Sequence, residues 1–172
     1  IRLRDLPDRL AALGMQACAI TDHGVLYGVI DFYNAMLAKG LKPIIGCEVY
    51  LAPRGYLDKE AGVDKEPAHL VLLAENQIGY RNLMKLVSIG FTDGFYYRPR
   101  IDHDLLRQYS AGLTALSACL SGEIPTAVLQ QDIDRARELA LKMDKIFGRD
   151  HFFLEVQDNG LPEQSLVNSA LI

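Results

Sequence analysis

Thr21-Asp22-His23-Gly24 follows the short apolar run Ala17-Cys18-Ala19-Ile20 and precedes a helix-like segment that begins near Tyr27. This order places an Asp-His pair at the carboxyl end of an expected strand, where barrels and open α/β sheets gather side chains around ligands and metals. The arrangement recurs, since later apolar runs carry Glu48, His69 and Cys119 at or beside their ends. Outward from this stretch, Ala17–Ile20, Pro43–Tyr50, His69–Ala74, Leu113–Ser117 and Phe152–Gln157 read as strands rich enough in Ile, Val, Leu and Phe to be buried on both faces. Residues 26–39, 78–89, 103–109, 122–130 and 133–147 read as helices, with Gly40 as a C-terminal glycine and Asp132 as an N-cap. The βα alternation predicts an α/β fold with a parallel sheet or barrel and helices outside. Residues 53–67, with their Gly, Asp, Glu and Lys, read as a surface excursion.

The chain has 172 residues and 49% hydrophobic content, enough for one globular domain with a real core. No apolar run approaches the roughly 18 residues of a membrane-spanning helix, and no basic-then-apolar leader is present, so no membrane role is expected. A net charge of −4 excludes a global basic field that would hold nucleic acid by phosphate neutralisation alone. Three scattered cysteines argue against a disulfide framework and point to a reducing cytoplasm. Both ends read as cut: residues 1–13 resemble an amphipathic helix already under way, and a second helical pattern starts near Pro162 and is still running at Leu171. A single domain over residues 1–172, part of a longer protein, is the expectation.

His23, Glu48, His69 and Cys119 offer imidazole, carboxylate and thiolate, a set suited to zinc and tolerable for manganese or iron. No local spacing announces them; each belongs to a different βα unit. Glu48 is the candidate bridging and catalytic carboxylate, because a carboxylate shared between metals suits phosphoester chemistry. Each residue also has a simpler reading. Asp22 and His23 can start a helix, Glu48 can pair with a surface cation, His69 can be a hydrogen-bonded core group, and Cys119 can be a small buried hydrophobe. Cys18 and Cys47 read as core, and His103 and His151 as surface. Arg98 and Arg100 are candidate phosphate contacts or flexible surface side chains beside Pro99.

Thr21–Gly24, Lys42–Glu48 and His69–Ala74 resemble successive motifs of the polymerase and histidinol phosphatase (PHP) domain. Gly79–Leu83, Pro99–Asp102, Leu116–Pro125 and Gly160–Gln164 are similar to the amino-terminal PHP domain of bacterial DNA polymerase III alpha subunits. The resemblance implies an irregular parallel barrel, here incomplete at both ends, with a zinc or manganese cluster at the strand ends. It makes His23, Glu48, His69 and Cys119 the central ligands, with Asp22 as an orienting partner for the imidazole. The family's opening His-x-His and later Asp-x-His motifs are absent, as cut ends would require. It further implies a parent enzyme that extends DNA from deoxynucleoside triphosphates with magnesium in a separate domain, alongside a sliding clamp and a proofreading exonuclease. Within the domain it implies metal-assisted phosphodiester hydrolysis, including 3′-to-5′ proofreading. A non-catalytic scaffold and a free-standing phosphoesterase of the histidinol-phosphatase kind are the other readings.

Overall fold

Strand β2 (Lys42–Leu51) is the longest in a computed structural model that describes residues 2–172, so Ile1, where the first helical pattern opens, lies outside the description. Strand β1 (Ala17–Ile20) lies parallel to the first half of β2, with Ala17 opposite Lys42 and Ile20 opposite Ile45. Helix α2 (Val29–Ala38) makes the crossover between them, as a parallel pair requires. Along the second half of β2, strand β3 (Ala68–Ala74) runs antiparallel on one edge, and the two-residue β4 (Arg100–Ile101) runs parallel on the other. Strand β5 (Leu113–Leu116) is antiparallel to β3, and β6 (Phe152–Phe153) is parallel to β5. The main path is β1-β2-β3-β5-β6, and β1 and β6 do not pair among the described residues, so the sheet stays open.

The architecture is therefore α/β, with a mostly parallel rather than wholly parallel sheet: β3 alone points opposite to the other strands. The reversal arises because residues 52–67 form no crossover helix and return the chain directly along the neighbouring edge of β2. Strand β6 stops after Phe153 instead of running to Gln157, and β4 is too short to leave an alternation in sequence. The remaining helices are α1 (Leu6–Ala12), α3 (Gln77–Thr92), α4 (His103–Tyr109), α5 (Glu123–Leu129), α6 (Ile133–Phe147) and α7 (Pro162–Leu171). Side-chain caps fix three of these starts: Asn76 accepts from the Ile78 and Gly79 amides, Asp102 from Leu105, and Asp132 from Arg135.

Side-chain alternation in β2 and β3 divides the sheet into a core face and a polar face. Cys47, Val49, Leu51, Leu70 and Leu72 point into the main core, against Leu83 and Leu86 of α3 and Leu105 and Leu106 of α4. Burying each such leucine contributes about 1.5–3 kcal/mol. The other face carries Glu48, Tyr50 and His69, so the expected double burial gives way there. Helices α1 and α2 close a second cluster over β1 through Leu10, Phe32 and Met36, while α5, α6 and α7 pack a third around Ile124, Leu139 and Val167. No helix among the described residues is long and apolar enough to cross a membrane.

Candidate metal centre

Beyond Ile20 the chain makes one further contact with β2 before it turns away. The Glu48 amide donates to the Asp22 carbonyl at 3.1 Å and the Gly24 amide donates to the Glu48 carbonyl at 2.9 Å, which sets His23 beside Glu48 as an isolated parallel bridge. Residues opposite each other in a ladder project from the same face, as do residues two apart in one strand. His23 therefore joins Glu48, Glu48 shares its face with Tyr50, and Tyr50 stands opposite His69 in the β2–β3 register. Gly24 permits the turn: its φ of +69° is left-handed, and a Cβ there would lie 2.6 Å from Pro99 and 3.0 Å from the Tyr50 ring.

Because β3 is reversed, His69 reaches this end of the sheet from the start of its strand, not from the carboxyl end. Its amide donates to the Ser121 carbonyl at 3.0 Å, and His69 bridges to Gly122, which draws the turn after β5 over the site. That turn carries Cys119. The preceding Ala118 has a left-handed φ of 63°, a conformation that costs a non-glycine residue on the order of 1–3 kcal/mol. Ser117 fixes it on the other side, since its hydroxyl accepts from the Glu155 amide at 2.8 Å.

The other three side chains converge on one carboxylate oxygen of Glu48. Glu48 Oε1 lies 2.7 Å from His69 Nδ1, 3.3 Å from His23 Nε2 and 3.7 Å from Cys119 Sγ, and Cys119 Sγ lies 3.5 Å from His69 Nδ1. Glu48 and His69 are largely shielded, with side chains 15% and 19% exposed, whereas His23 is 54% exposed and forms the open side. The hydrogen bond from His69 holds the Glu48 carboxyl below its ordinary range. Cys119 and then Glu48 raise the His69 imidazole to about 9, and His69 in turn lowers the Cys119 thiol. Burial pushes Cys47 the other way, to about 12, in keeping with an inert core thiol. His23, Glu48 and His69 lie within 4.8 Å of one another and fit a divalent cation by donor chemistry and by spacing, and the Cys119 thiol adjoins Glu48 and His69.

An open cleft of about 480 Å³ lies over the centre, lined by His23, Tyr50, His69, Lys65, Tyr97 and Arg98 among others. The Tyr50 ring stands edge-on to His69 at 5.1 Å, and the Arg98 guanidinium lies 5.9 Å above Tyr50. Tyr50 was legible in principle, since Glu48-Val49-Tyr50 puts it two residues along the same strand face. Arg100, by contrast, is not at the cleft. Its side chain is wholly buried, and its guanidinium donates to the carbonyls of Gly94 (3.1 Å), Asp64 (2.9 Å), Tyr56 (3.2 Å) and Asp58 (2.7 Å). It thus ties residues 56–64 to the 94–98 loop, and residues 53–67 are an anchored flap more than a loose excursion. Within that flap buried Asp64 accepts both Arg54 Nε and Nη2, which lowers its carboxyl to about 2.

The Asp22 carboxylate accepts from the Gly28 amide at 3.0 Å and closes the turn into α2, which is why that helix starts at Val29 and not at Leu26. His103 is not a surface group either, since its side chain is 14% exposed and it pairs with Glu123 at 2.9 Å.

The PHP domain family profile matches residues 1–159. The chain belongs to the PHP domain family. Over 172 residues it is 44% identical to DNA polymerase III subunit alpha of Borreliella burgdorferi, covering 99% of this chain and 15% of that protein. The corresponding protein of Thermus aquaticus is 48% identical over 158 residues, with 90% of this chain and 13% of that protein covered. This PHP chain therefore spans only a small part of the length of the curated relatives it matches. A solved structure described as a metal-dependent phosphoesterase from Bifidobacterium adolescentis superposes with a TM-score of 0.51 at 13% identity, covering 98% of this chain and 77% of that one, which places both in one fold.

Proposed function

We propose that this PHP domain is part of a DNA polymerase III alpha subunit and that His23, Glu48, His69 and Cys119 hold a zinc or manganese centre that hydrolyses phosphodiesters at a DNA 3′ end. The observation that carries the reading is the convergence of His23, His69 and Cys119 on Glu48 Oε1. A bound divalent cation there supplies Lewis acidity to a phosphoryl oxygen. Glu48 is the shared carboxylate, Tyr50 fixes the His69 ring from the side, and Arg98 presents a guanidinium to a phosphate entering the cleft. Identity of 44–48% to proteins named as polymerase subunits supports this parent over a free-standing phosphoesterase. On this reading the parent extends DNA from deoxynucleoside triphosphates with magnesium bound in another domain. It works in the cytoplasm with a sliding clamp and a separate proofreading exonuclease.

The natural chain that carries these residues, loaded with zinc or manganese, is expected to release nucleotides from a 3′-labelled oligonucleotide. The Glu48→Gln variant should not. If the metal-loaded chain releases none while chelation still lowers its melting temperature, the centre is structural and hydrolysis is excluded.

The pH dependence has a definite sign. With His69 raised to about 9, its ring is doubly protonated at neutral pH, so a cation must displace a proton from it. Apparent metal affinity should rise with pH up to about 9, by roughly tenfold per unit while this is the only proton displaced. Calorimetry in buffers of different ionisation heat should report net proton release near neutral pH. An affinity independent of pH over that range would contradict the assignment of His69.

A further inference from the structure

Two loops meet at the mouth of the cleft, and their chemistry is not accounted for by metal ligation. Tyr97 occupies the tip of a tight turn in which the Tyr96 amide donates to the Arg98 carbonyl at 3.0 Å. Its φ is 58°, a region where a bulky residue is an outlier and glycine or asparagine would sit with less strain. The side chain is nonetheless a tyrosine, 58% exposed, with Tyr96 edge-on at 4.7 Å and the Lys65 ammonium 5.7 Å from its ring centroid. Arg98 flanks it on the side nearer the metal centre, over Tyr50. Lys65 is only loosely engaged elsewhere, 3.7 Å from Glu66. Both loops are fastened to the single buried guanidinium of Arg100, so the platform is held in place without a ligand.

We propose that Lys65, Tyr97 and Arg98 form a nucleotide subsite, in which the Tyr97 ring stacks on a base at the end of a single strand and the two cations hold its flanking phosphates. An exposed aromatic face between two cations matches single-stranded nucleic acid, where stacking tolerates any base and charge tracks the backbone. A small polyol phosphate would use the cations and leave the ring idle. The subsite rests on the phosphodiester reading above and deepens it by naming the side chains that would hold the terminal nucleotide, Tyr97 on the base and Lys65 and Arg98 on the phosphates.

The test is photo-crosslinking of a single-stranded oligonucleotide of about eight nucleotides bearing a 3′-terminal 5-iododeoxyuridine, a length within the usual single-strand site size. It uses the natural full-length chain in chelator, where no hydrolysis can occur. The crosslink is expected on the peptide that contains Tyr97. Tyr97→Phe should retain it, Tyr97→Leu should abolish it, and the double variant Lys65→Gln/Arg98→Gln should lower its yield by about tenfold. All three substituted positions lie on exposed loops, so the fold is preserved. Crosslinks confined to other peptides, or a Tyr97 crosslink unchanged by the double variant, would overturn the subsite. Metal content measured on the same protein before the chelator is added separates the two ideas. Stoichiometric metal with no Tyr97 crosslink sinks the subsite alone, and a Tyr97 crosslink in a chain that binds no metal supports the subsite while the metal centre fails.

Discussion

Replacing Arg100 with Met is expected to destabilise the chain by at least about 3 kcal/mol, read as a drop in the urea midpoint at unchanged slope. The guanidinium is excluded from solvent and serves four carbonyls, at Gly94, Asp64, Tyr56 and Asp58. Methionine fills much of the volume but donates nothing, and each buried acceptor left without a donor costs about 1–3 kcal/mol, with neighbours not fully additive. Arg100→Lys should recover only part of the loss, because an ammonium keeps the charge without the planar fork that reaches both loops. Limited proteolysis should cut first within residues 53–67 in either variant. A loss under about 1 kcal/mol in the Met variant would mean that the two loops are held by something other than this side chain.

Glu48→Gln is expected to weaken divalent-metal binding by more than about 100-fold, beyond the usual effect of removing a residue that only orients a ligand. The substitution preserves size and leaves the core untouched, since Glu48 points away from Cys47 and Val49 and toward His69 and His23. The melting temperature of the metal-free chain should move little, and the His69 imidazole should fall from its raised value, with Cys119 still supporting part of the shift. Retained affinity in Glu48→Gln would remove Glu48 from the centre.

The four candidate side chains stand out in sequence because each sits beside an apolar run that becomes a strand or ends one. What brings them together stands out less. The reversal of β3 leaves no mark in the composition of His69–Ala74, and it moves His69 from the end of a βα unit to the start of an antiparallel strand, yet still to the same edge of the sheet. Arg98-Pro99-Arg100 looks uniformly like surface in sequence, but Arg98 stays in the exposed turn before β4 while Arg100 enters the strand and packs against Gly94; a Cβ at Gly94 would lie 2.0 Å from the Arg100 carbonyl. An acid beside a ligand suggests an orienting partner, and the contact the structure gives the Asp22 carboxylate is the amide of Gly28. Helices α4 and α6 match their expected bounds, each led by an aspartate whose carboxylate caps the first turn. Long-range register, by contrast, is decided by packing that no local pattern records.

The most direct test of the metal centre is cobalt substitution of the chelator-treated natural chain, followed by absorption spectroscopy with a parallel measurement of metal stoichiometry. Stoichiometric uptake with a thiolate-to-cobalt charge-transfer band, absent in Cys119→Ser and weakened in His69→Ala, is the predicted result. No uptake by the wild-type chain, or uptake that the Glu48, His69 and Cys119 variants leave unchanged, would contradict it.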